Sequence, residues 1–272
     1  MTTAVVDIAV DTFRTAAHPD PVAPARDGAA RRRAPASSPE LVHVATPDAA
    51  LAAFATGSSA ICLSPFTGSV AVARRLLDAA EAAGAVGVVP FVARYHPMVR
   101  AARARIAAGE LGMLLSMDCS YLQEARLSSD DSVGSDEGAL SRAFAELGSH
   151  LCDLIEFVSG HRIARLTART RKVFDRRGGA AVSGEDIASV LIETDGGALG
   201  TVVVSQMAAG HPDALALNLH GTAHSLGFAS ERPGELWIGG PAGSRVEAED
   251  AGRRRDNAFD SYLAAAYAAA DP

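Results

Sequence analysis

The sequence predicts a fold in two parts: an α/β unit with a small parallel sheet, then an α+β unit with an open, mostly antiparallel sheet and helices on one face. Strand-like and helix-like segments alternate between residues 41 and 91, which is the pattern of a βαβ unit. From residue 163 onward, short apolar runs follow one another at close spacing, which is typical of antiparallel strands. We therefore predict one domain over residues 1–92 and a second over residues 93–272.

The first domain is predicted from apolar runs, an amphipathic helix and the residues that end them. Pro47 ends a strand, Asp48 can cap the helix that follows, and Gly84 stands where a helix C-cap belongs. Residues 18–40 are rich in proline and arginine and have no periodicity, so we expect a flexible loop there. The predicted elements are strands 4–10, 41–45, 59–63 and 86–91, with helices 49–56 and 70–83.

The second domain is predicted to begin with a helix at 97–108, because Pro97 occupies the favoured first position of a helix. Gly196 and Gly197 separate two alternating runs and predict a hairpin turn. A polar loop rich in glycine and aspartate is expected at residues 128–138. The remaining predicted elements are helices 141–159 and 258–270, with strands 113–122, 163–171, 187–194, 198–207, 214–220, 225–229 and 235–238.

Composition and charge exclude several classes of function. The formal net charge of -7 argues against a general nucleic-acid binder, whose surface would be basic. The sequence has no run of roughly 18 apolar residues and no cleavage signature near its start, so we predict neither a membrane partner nor a secretory signal. Cys62, Cys119 and Cys152 lie far apart and have no paired metal spacing. We therefore predict reduced thiols, no metal site and a cytoplasmic location.

The strongest candidate for chemistry is the segment that contains Glu146, His150 and Asp153. Spacings of four and three place these side chains on one stripe of an α-helix. A carboxylate one turn from an imidazole can orient it and favour proton transfer with a hydroxyl near neutral pH. We therefore propose His150 and Glu146 as catalytic residues, with the loop at 128–138 positioned to close over a substrate. The alternative is a capped helix with a half-buried histidine that already has a hydrogen-bond partner.

Two other clusters are given structural interpretations. The first is a basic cluster near a strand end, which we interpret as a solvated strand edge in preference to an anion-binding site. It contains Lys172, Arg169, Arg171, Arg176 and Arg177. His220 and His224 flank a predicted hairpin turn, and a spacing of four would suit zinc only on a helix, so we predict no zinc there.

A glycine motif is missing where a dinucleotide fold would need it. Residues 10–13 follow the first predicted strand, and they contain no G-x-G-x-x-G. Glycines at such a turn let the backbone approach a pyrophosphate at a helix N-terminus, and bulky residues would block that approach.

An ordered set of motifs is similar to the Gfo/Idh/MocA family of NAD(P)-dependent oxidoreductases. The segment FVARYHPMVRAARARIAAGELGMLLSM at 91–117 resembles the family's junction between domains, and AELGSHLCD at 145–153 resembles its D-x-G-x-H-x-x-D helix. The segments at 184–200 and 217–228 resemble later strand-turn motifs, and VATPD at 44–48 resembles A-T-P-N. The resemblance covers roughly residues 41–240 and is specific as an ordered set.

The resemblance implies a Rossmann-like domain, here truncated, that binds NAD(P), and a sheet domain that holds a sugar-like substrate and forms an oligomer interface. It implies proton transfer by the residues that match the D-x-x-x-H helix, which are Glu146 and His150. It also implies contacts to the cofactor from the residues that match the family's cofactor motifs. These are Thr46, Pro47, Ser64, Pro65 and Arg94.

The sequence departs from the family pattern in ways that bear on activity. Ser64 stands where the E-K-P motif has its lysine, Glu146 replaces an aspartate, and only about 40 residues precede Leu41. These departures favour a non-catalytic subunit without cofactor that pairs, through its sheet face, with a homologous full-length oxidoreductase or with itself. Two alternatives stay open: an active oxidoreductase that uses NAD or NADP on a sugar or cyclitol, and a cofactor-independent lyase, epimerase or cyclase that uses His150 and Glu146.

Overall fold

The computed structural model describes residues 6–9, 41–129 and 142–248 and divides the chain into two compact units at Pro90–Phe91. The small unit comprises the described residues 41–90, and the large unit comprises residues 91–129 and 142–248 with the strand at 6–9. The helices are α1 (Pro47–Ala55), α2 (Val70–Ala83), α3 (Pro97–Ala107) and α4 (Ser149–Ser159). The strands are β1 (Val6–Ala9), β2 (Leu41–Val44), β3 (Ser59–Cys62), β4 (Gly87–Val88), β5 (Leu114–Leu122), β6 (Ile163–Arg171), β7 (Arg176–Arg177), β8 (Ala180–Ala181), β9 (Ile187–Thr194), β10 (Leu199–Ser205), β11 (Ala214–Gly221), β12 (Ser225–Ala229), β13 (Glu235–Gly240) and β14 (Gly243–Ala248).

The small unit is the predicted βαβ arrangement. Strands β2, β3 and β4 lie side by side in that order, and both strand pairs are parallel. Phe54 of α1 and Leu76 of α2 are almost fully buried and form the core together with Ala60 and Cys62 of β3. The third strand was predicted over 86–91 but pairs only at Gly87 and Val88, since Pro90 has no N–H to give to the ladder.

Capping residues fix the helices of the small unit, with one change from prediction. Thr46, not Asp48, is the N-cap of α1, because the Thr46 hydroxyl accepts a hydrogen bond from the amide of Ala49 at 3.3 Å. Asp48 lies in the first turn, where a negative charge is favourable near the amino end of the helix. Gly84 ends α2 in the left-handed conformation at φ +62°, as predicted.

The large unit contains a nine-stranded sheet in the order β1-β6-β9-β10-β5-β11-β12-β13-β14. Only the central β5–β10 pair is parallel, so the prediction of an open, mostly antiparallel sheet is confirmed. Side chains of α3 and α4 share one core with the strands, as Val99, Leu154, Val202 and Leu236 illustrate. The described helices of the unit therefore cover one face of the sheet, and the opposite face carries exposed side chains such as Leu191.

Several elements differ from the sequence-based expectations. The N-terminal strand was assigned to the first domain, but β1 pairs antiparallel with β6 in the large sheet. Strands β7, β8 and β14 were not predicted. The hairpin at Gly196–Gly197 is confirmed, with Gly197 at φ +81° between antiparallel β9 and β10. The predicted loop at 18–40, most of the loop at 128–138 and the helix at 258–270 lie outside the described residues.

The predicted helix at 141–159 begins with a π-helical turn at Phe144–Gly148, and α4 follows it. Glu185 holds the start of this turn, because its carboxylate accepts hydrogen bonds from the amides of Phe144 at 2.8 Å and Arg142 at 3.1 Å. A Cβ on Gly148 would lie 2.5 Å from the Phe144 ring, so the turn requires glycine there. None of the helices in the described part of the chain is both long enough and apolar enough to cross a membrane.

Candidate active site

His150 lies in the first turn of α4 and is half-buried. Its ring meets Phe91 and Tyr121 edge-on, with centroid distances of 5.5 and 6.4 Å. Burial lowers the pKa of His150 below its usual value, although the nearby carboxylates of Asp153 and Asp213 partly oppose this effect. The imidazole is therefore neutral at pH 7 and can accept a proton.

Glu146 lies in the π-helical turn, and its partner is Gln206. The side-chain amide of Gln206 donates a hydrogen bond to Glu146 Oε2. Among the described residues, no hydrogen bond joins Glu146 to His150. A π turn replaces the predicted α-helical spacing around Glu146, and the expected orientation of His150 by Glu146 is not seen, because Glu146 bonds Gln206 instead. Glu146 therefore does not orient the imidazole by direct contact.

Gln206 is a site residue that the sequence analysis did not single out. It follows β10, is 2% exposed, and its backbone is fixed by hydrogen bonds to Asp186 and Arg126. Its Oε1 atom is buried and has no hydrogen-bond partner within the described residues. Alternation along β10 places it on the helix-covered side, but no local pattern connects it with a glutamate 60 positions earlier.

Arg94 and Asp153 form a two-point ion pair. Arg94 Nε donates to Asp153 Oδ2 at 2.7 Å, and Nη2 donates to Oδ1. The Asp153 side chain is 9% exposed, and the guanidinium also lies 5.2 Å from the centre of the Phe157 ring. The pair joins the 3₁₀ turn at Val92–Tyr95 to α4 one turn beyond His150. The structure thus gives Arg94 a structural role, and its cofactor role remains a prediction.

A buried cluster of charges supports the π turn. Asp186 Oδ1 accepts hydrogen bonds from Arg142 and from Arg177, the latter at 3.1 Å. All three side chains are at most 1% exposed, so the expectation that Arg177 belongs to a solvated strand edge is wrong. Arg169 and Arg171 are exposed, as predicted. Buried charges are tolerated when they are paired, and Asp186 supplies that pairing.

The predicted cofactor residues of the small unit follow its first two strands. Thr46 comes after β2, and Ser64 and Pro65 come after β3, so all three lie at the carboxyl edge of a parallel sheet, where dinucleotides bind. The Thr46 hydroxyl is already used as a helix cap. Neither turn has the glycine spacing that cradles a phosphate, and neither contributes a cationic side chain. These residues offer hydroxyl groups to a ribose or an amide, but do not form a complete NAD(P) site.

The cysteines and histidines of the large unit are not arranged for thiol or metal chemistry among the described residues. Burial raises the pKa of both Cys119 and Cys152 to about 12, so neither thiol ionises near neutral pH. Within residues 6–9, 41–129 and 142–248, no group of three or more histidine, cysteine or acidic side chains is arranged to hold a metal ion. His220 and His224 lie at the predicted hairpin, where His220 contacts Asp118 at 3.0 Å and His224 contacts the carbonyl of Glu110 at 2.9 Å.

Residues 99–227 match the family model described as the GFO/IDH/MocA C-terminal domain. Over this range, the chain resembles the C-terminal domain of the Gfo/Idh/MocA family. The matched range runs from α3 into β12, and it contains Glu146, His150, Asp153 and Gln206. The resemblance inferred from the ordered motifs is therefore confirmed.

Two curated relatives are sugar dehydrogenases. A levoglucosan dehydrogenase of Pseudarthrobacter phenanthrenivorans is 26% identical over 223 residues, which cover 73% of this chain and 57% of the relative. A D-apiose dehydrogenase of Paraburkholderia graminis is 30% identical over 148 residues, which cover 54% of this chain and 37% of the relative. The chain thus spans little more than half of the first relative and less than half of the second.

Solved structures of the family share the fold. A levoglucosan dehydrogenase in complex with NADH and L-sorbose superposes with a TM-score of 0.72 at 25% identity, and the match covers 77% of this chain and 60% of that one. An inositol dehydrogenase homologue from Azotobacter vinelandii, in complex with NADH and myo-inositol, gives 0.68 at 27% identity, with coverage of 77% and 56%.

Proposed function

We propose that the large unit is the substrate-binding and proton-transfer domain of a sugar oxidoreductase, and that His150 is its acid–base residue. The observation that carries this proposal is a half-buried imidazole, kept neutral by burial, inside the domain that the family model matches. The related levoglucosan and D-apiose dehydrogenases favour a sugar or sugar-like substrate.

The role of His150 is to take the hydroxyl proton when a carbinol is oxidised, and to return it in the reverse reaction. Phe91 and Tyr121 restrict the ring and exclude water from its edges. The carboxylates of Asp153 and Asp213 stabilise the protonated imidazole as it forms. Glu146, held by Gln206, is the second residue of the proposed site. NAD or NADP would supply the hydride acceptor when bound. The described residues of the small unit do not form a complete nucleotide site. The proposal is therefore confined to the proton-transfer step.

The test is an assay of sugar oxidation with NAD⁺ and NADP⁺, using levoglucosan, apiose and myo-inositol as substrates. His150→Ala is expected to reduce kcat/KM by about 10²–10⁴-fold, the usual contribution of a general acid–base group. His220→Ala, on the uncovered face of the sheet, is the matched control and should retain activity. Equal losses in the two variants would contradict the assignment. Conversion of a sugar without any nucleotide would instead support a lyase, epimerase or cyclase that uses the same two residues.

We propose, as a second candidate, an auxiliary subunit that pairs through the uncovered sheet face with a full-length homologue or with itself. Ser64 in place of the motif lysine favours it, as do Leu191 and Leu199, which are 61% and 62% exposed on that face. Light scattering on the chain alone and after co-expression with a full-length homologue tests this candidate. Leu191→Ser combined with Leu199→Ser should abolish pairing, and a persistent complex would rule out this face.

A further inference from the structure

Trp237, the one tryptophan of the chain, lies in β13 on the sheet face that α3 and α4 leave uncovered. Its neighbours Leu236 and Ile238 are buried in the core beneath the helices, whereas Trp237 is 39% exposed. Side chains alternate across a strand, so Trp237 and His150 lie on opposite sides of the sheet. A ligand at Trp237 therefore occupies a site separate from the proposed proton-transfer site.

Two glycines allow the indole of Trp237 to lie flat on the sheet. A Cβ on Gly239 would lie 2.3 Å from Cη2 of the indole, and a Cβ on Gly227, the residue paired with Trp237 on β12, would lie 3.5 Å from Cε3. One face of the ring therefore packs on glycine backbone, and the residue as a whole is 39% exposed. The result is a fixed aromatic platform, because glycine leaves no side chain beneath the ring to tilt it.

The platform forms part of a cavity of about 300 Å³ with a polar rim. This volume stands at the lower end of the ~300–1,000 Å³ range of small-molecule sites, so it suits one ring. Asn218, Arg232 and Glu235 contribute the polar groups, and Val246 is an exposed apolar wall. Arg232 Nε lies 3.8 Å from Glu235 Oε2, so the rim offers hydrogen-bond donors and acceptors whose charges balance.

We propose that this cavity binds a neutral pyranose ring stacked on Trp237. The negative π face of an indole attracts the weakly positive C–H groups that line one face of a pyranose. The hydroxyls at the edge of that ring can both donate and accept hydrogen bonds, which matches a rim of one guanidinium, one carboxylate and one amide. An anionic ligand would meet Glu235 as well as Arg232, so the rim favours a neutral one. This inference goes beyond the proposed function and does not depend on it.

The pairing surface proposed above is centred elsewhere on the same face. Leu191 and Leu199 lie on β9 and β10, and β5, β11 and β12 separate β10 from β13. At about 4.8 Å per strand, the platform is about 19 Å from that surface. The strands between them carry a hydrogen-bonded polar group, Asp118 with Asn218 and His220. The cavity is therefore assigned to a sugar and not to a second copy of the chain.

Intrinsic fluorescence tests this proposal directly, because Trp237 is the only indole in the chain. Titration with methyl glucopyranosides should change the emission saturably, with a Kd on the order of 1 mM for a ligand of this size. Sorbitol has comparable hydroxyl groups but no rigid C–H face, and it should cause no saturable change. An equal response to sorbitol, a response to adenosine alone, or emission that depends on protein concentration and not on sugar would each overturn the proposal.

Variants separate the platform from other effects. Gly239→Ala keeps the reporter but tilts the indole, and it should raise the Kd at least 10-fold. Arg232→Ala changes an exposed rim residue, so it should weaken binding several-fold without loss of folding. His150→Ala and Leu199→Ser should leave the titration unchanged, because they alter the proton-transfer site and the pairing surface. If Arg232→Ala and folded Gly239→Ala both bind as the wild type does, Trp237 is not the platform.

Discussion

The two sides of the large sheet use the same residue types with different consequences. On the helix-covered side, Asp186 is fully buried and is held by two buried arginines. On the uncovered face, Asp118 pairs with His220 at 3.0 Å, but both side chains are about half exposed. Water screens the Asp118–His220 pair but not the Asp186 cluster, so burial determines how much each carboxylate contributes to the stability of the fold. The proposed proton-transfer site lies on the side where charges are costly, and each of its charged groups has a partner there.

The largest difference in stability between the two sides is expected when the charge of Asp186 or of Asp118 is removed. Asp186→Asn leaves two buried guanidinium groups with one fewer counter-charge, so the free energy of unfolding should fall by about 3–5 kcal/mol. Asp118→Asn removes a solvent-screened pair and should cost about 0–1 kcal/mol. Urea unfolding followed by Trp237 fluorescence measures both values, since that residue reports on the large unit. Similar losses for the two variants would mean that the Asp186 cluster is not shielded from water.

Leucine truncation on the two sides should show the next largest difference. Leu154 of α4 is fully buried, and Leu154→Ala should lower the free energy of unfolding by about 2–5 kcal/mol, through lost burial and the cavity that remains. Leu191 is 61% exposed, so Leu191→Ala should change stability by less than about 0.5 kcal/mol in the monomer. If Leu191→Ala is as costly as Leu154→Ala, and more so at high protein concentration, the uncovered face is buried in an oligomer.

The sequence predicted the elements that depend on local patterns. Strand β6 has the predicted bounds, because its periodicity and flanking turns are local properties. Strand β9 does as well, and Gly84 and Gly197 end or turn the chain where glycine is required. The pairing of β1 with β6 was not predictable in this way, since it joins segments that are more than 150 positions apart.

The same limit explains which parts of the site were found. His150 was found because its motif is contiguous and its chemistry is distinctive. The π turn was missed because Glu185, which holds it, lies about 40 positions further along the chain. The burial of Arg177 and the contact between Gln206 and Glu146 depend on partners supplied by other strands. Sequence patterns thus indicated the candidate acid–base residue, whereas the groups that surround it are defined only by the fold.

A smaller difference in stability is expected when one arginine ion pair on each side of the sheet is altered. Arg94→Lys loses the two-point contact with Asp153 and the stacking on Phe157, so it should cost about 1–2 kcal/mol. Arg165→Lys alters an exposed pair with Glu193 and should cost less than about 0.5 kcal/mol. Thermal unfolding of the two variants compares them. A wild-type melting temperature for Arg94→Lys, together with weakened nucleotide binding, would favour the cofactor role over the structural one.

The smallest effect concerns the dependence of stability on pH. Burial lowers the pKa of His150 in the folded state, whereas in the unfolded chain it is expected near 6.5. Below that value the unfolded chain binds a proton that the folded chain resists, so the stabilising effect of burying a neutral His150 is complete above pH 6.5 and is lost as the pH falls. His150→Gln removes the titrating imidazole, so stability should decline less between pH 7.5 and pH 5.5 than it does in the wild type. His220→Gln, on the uncovered face, controls for the loss of a histidine. If His150→Gln leaves the decline unchanged, the imidazole is more hydrated than its contacts with Phe91 and Tyr121 imply, and its assignment as a neutral proton acceptor loses its physical basis.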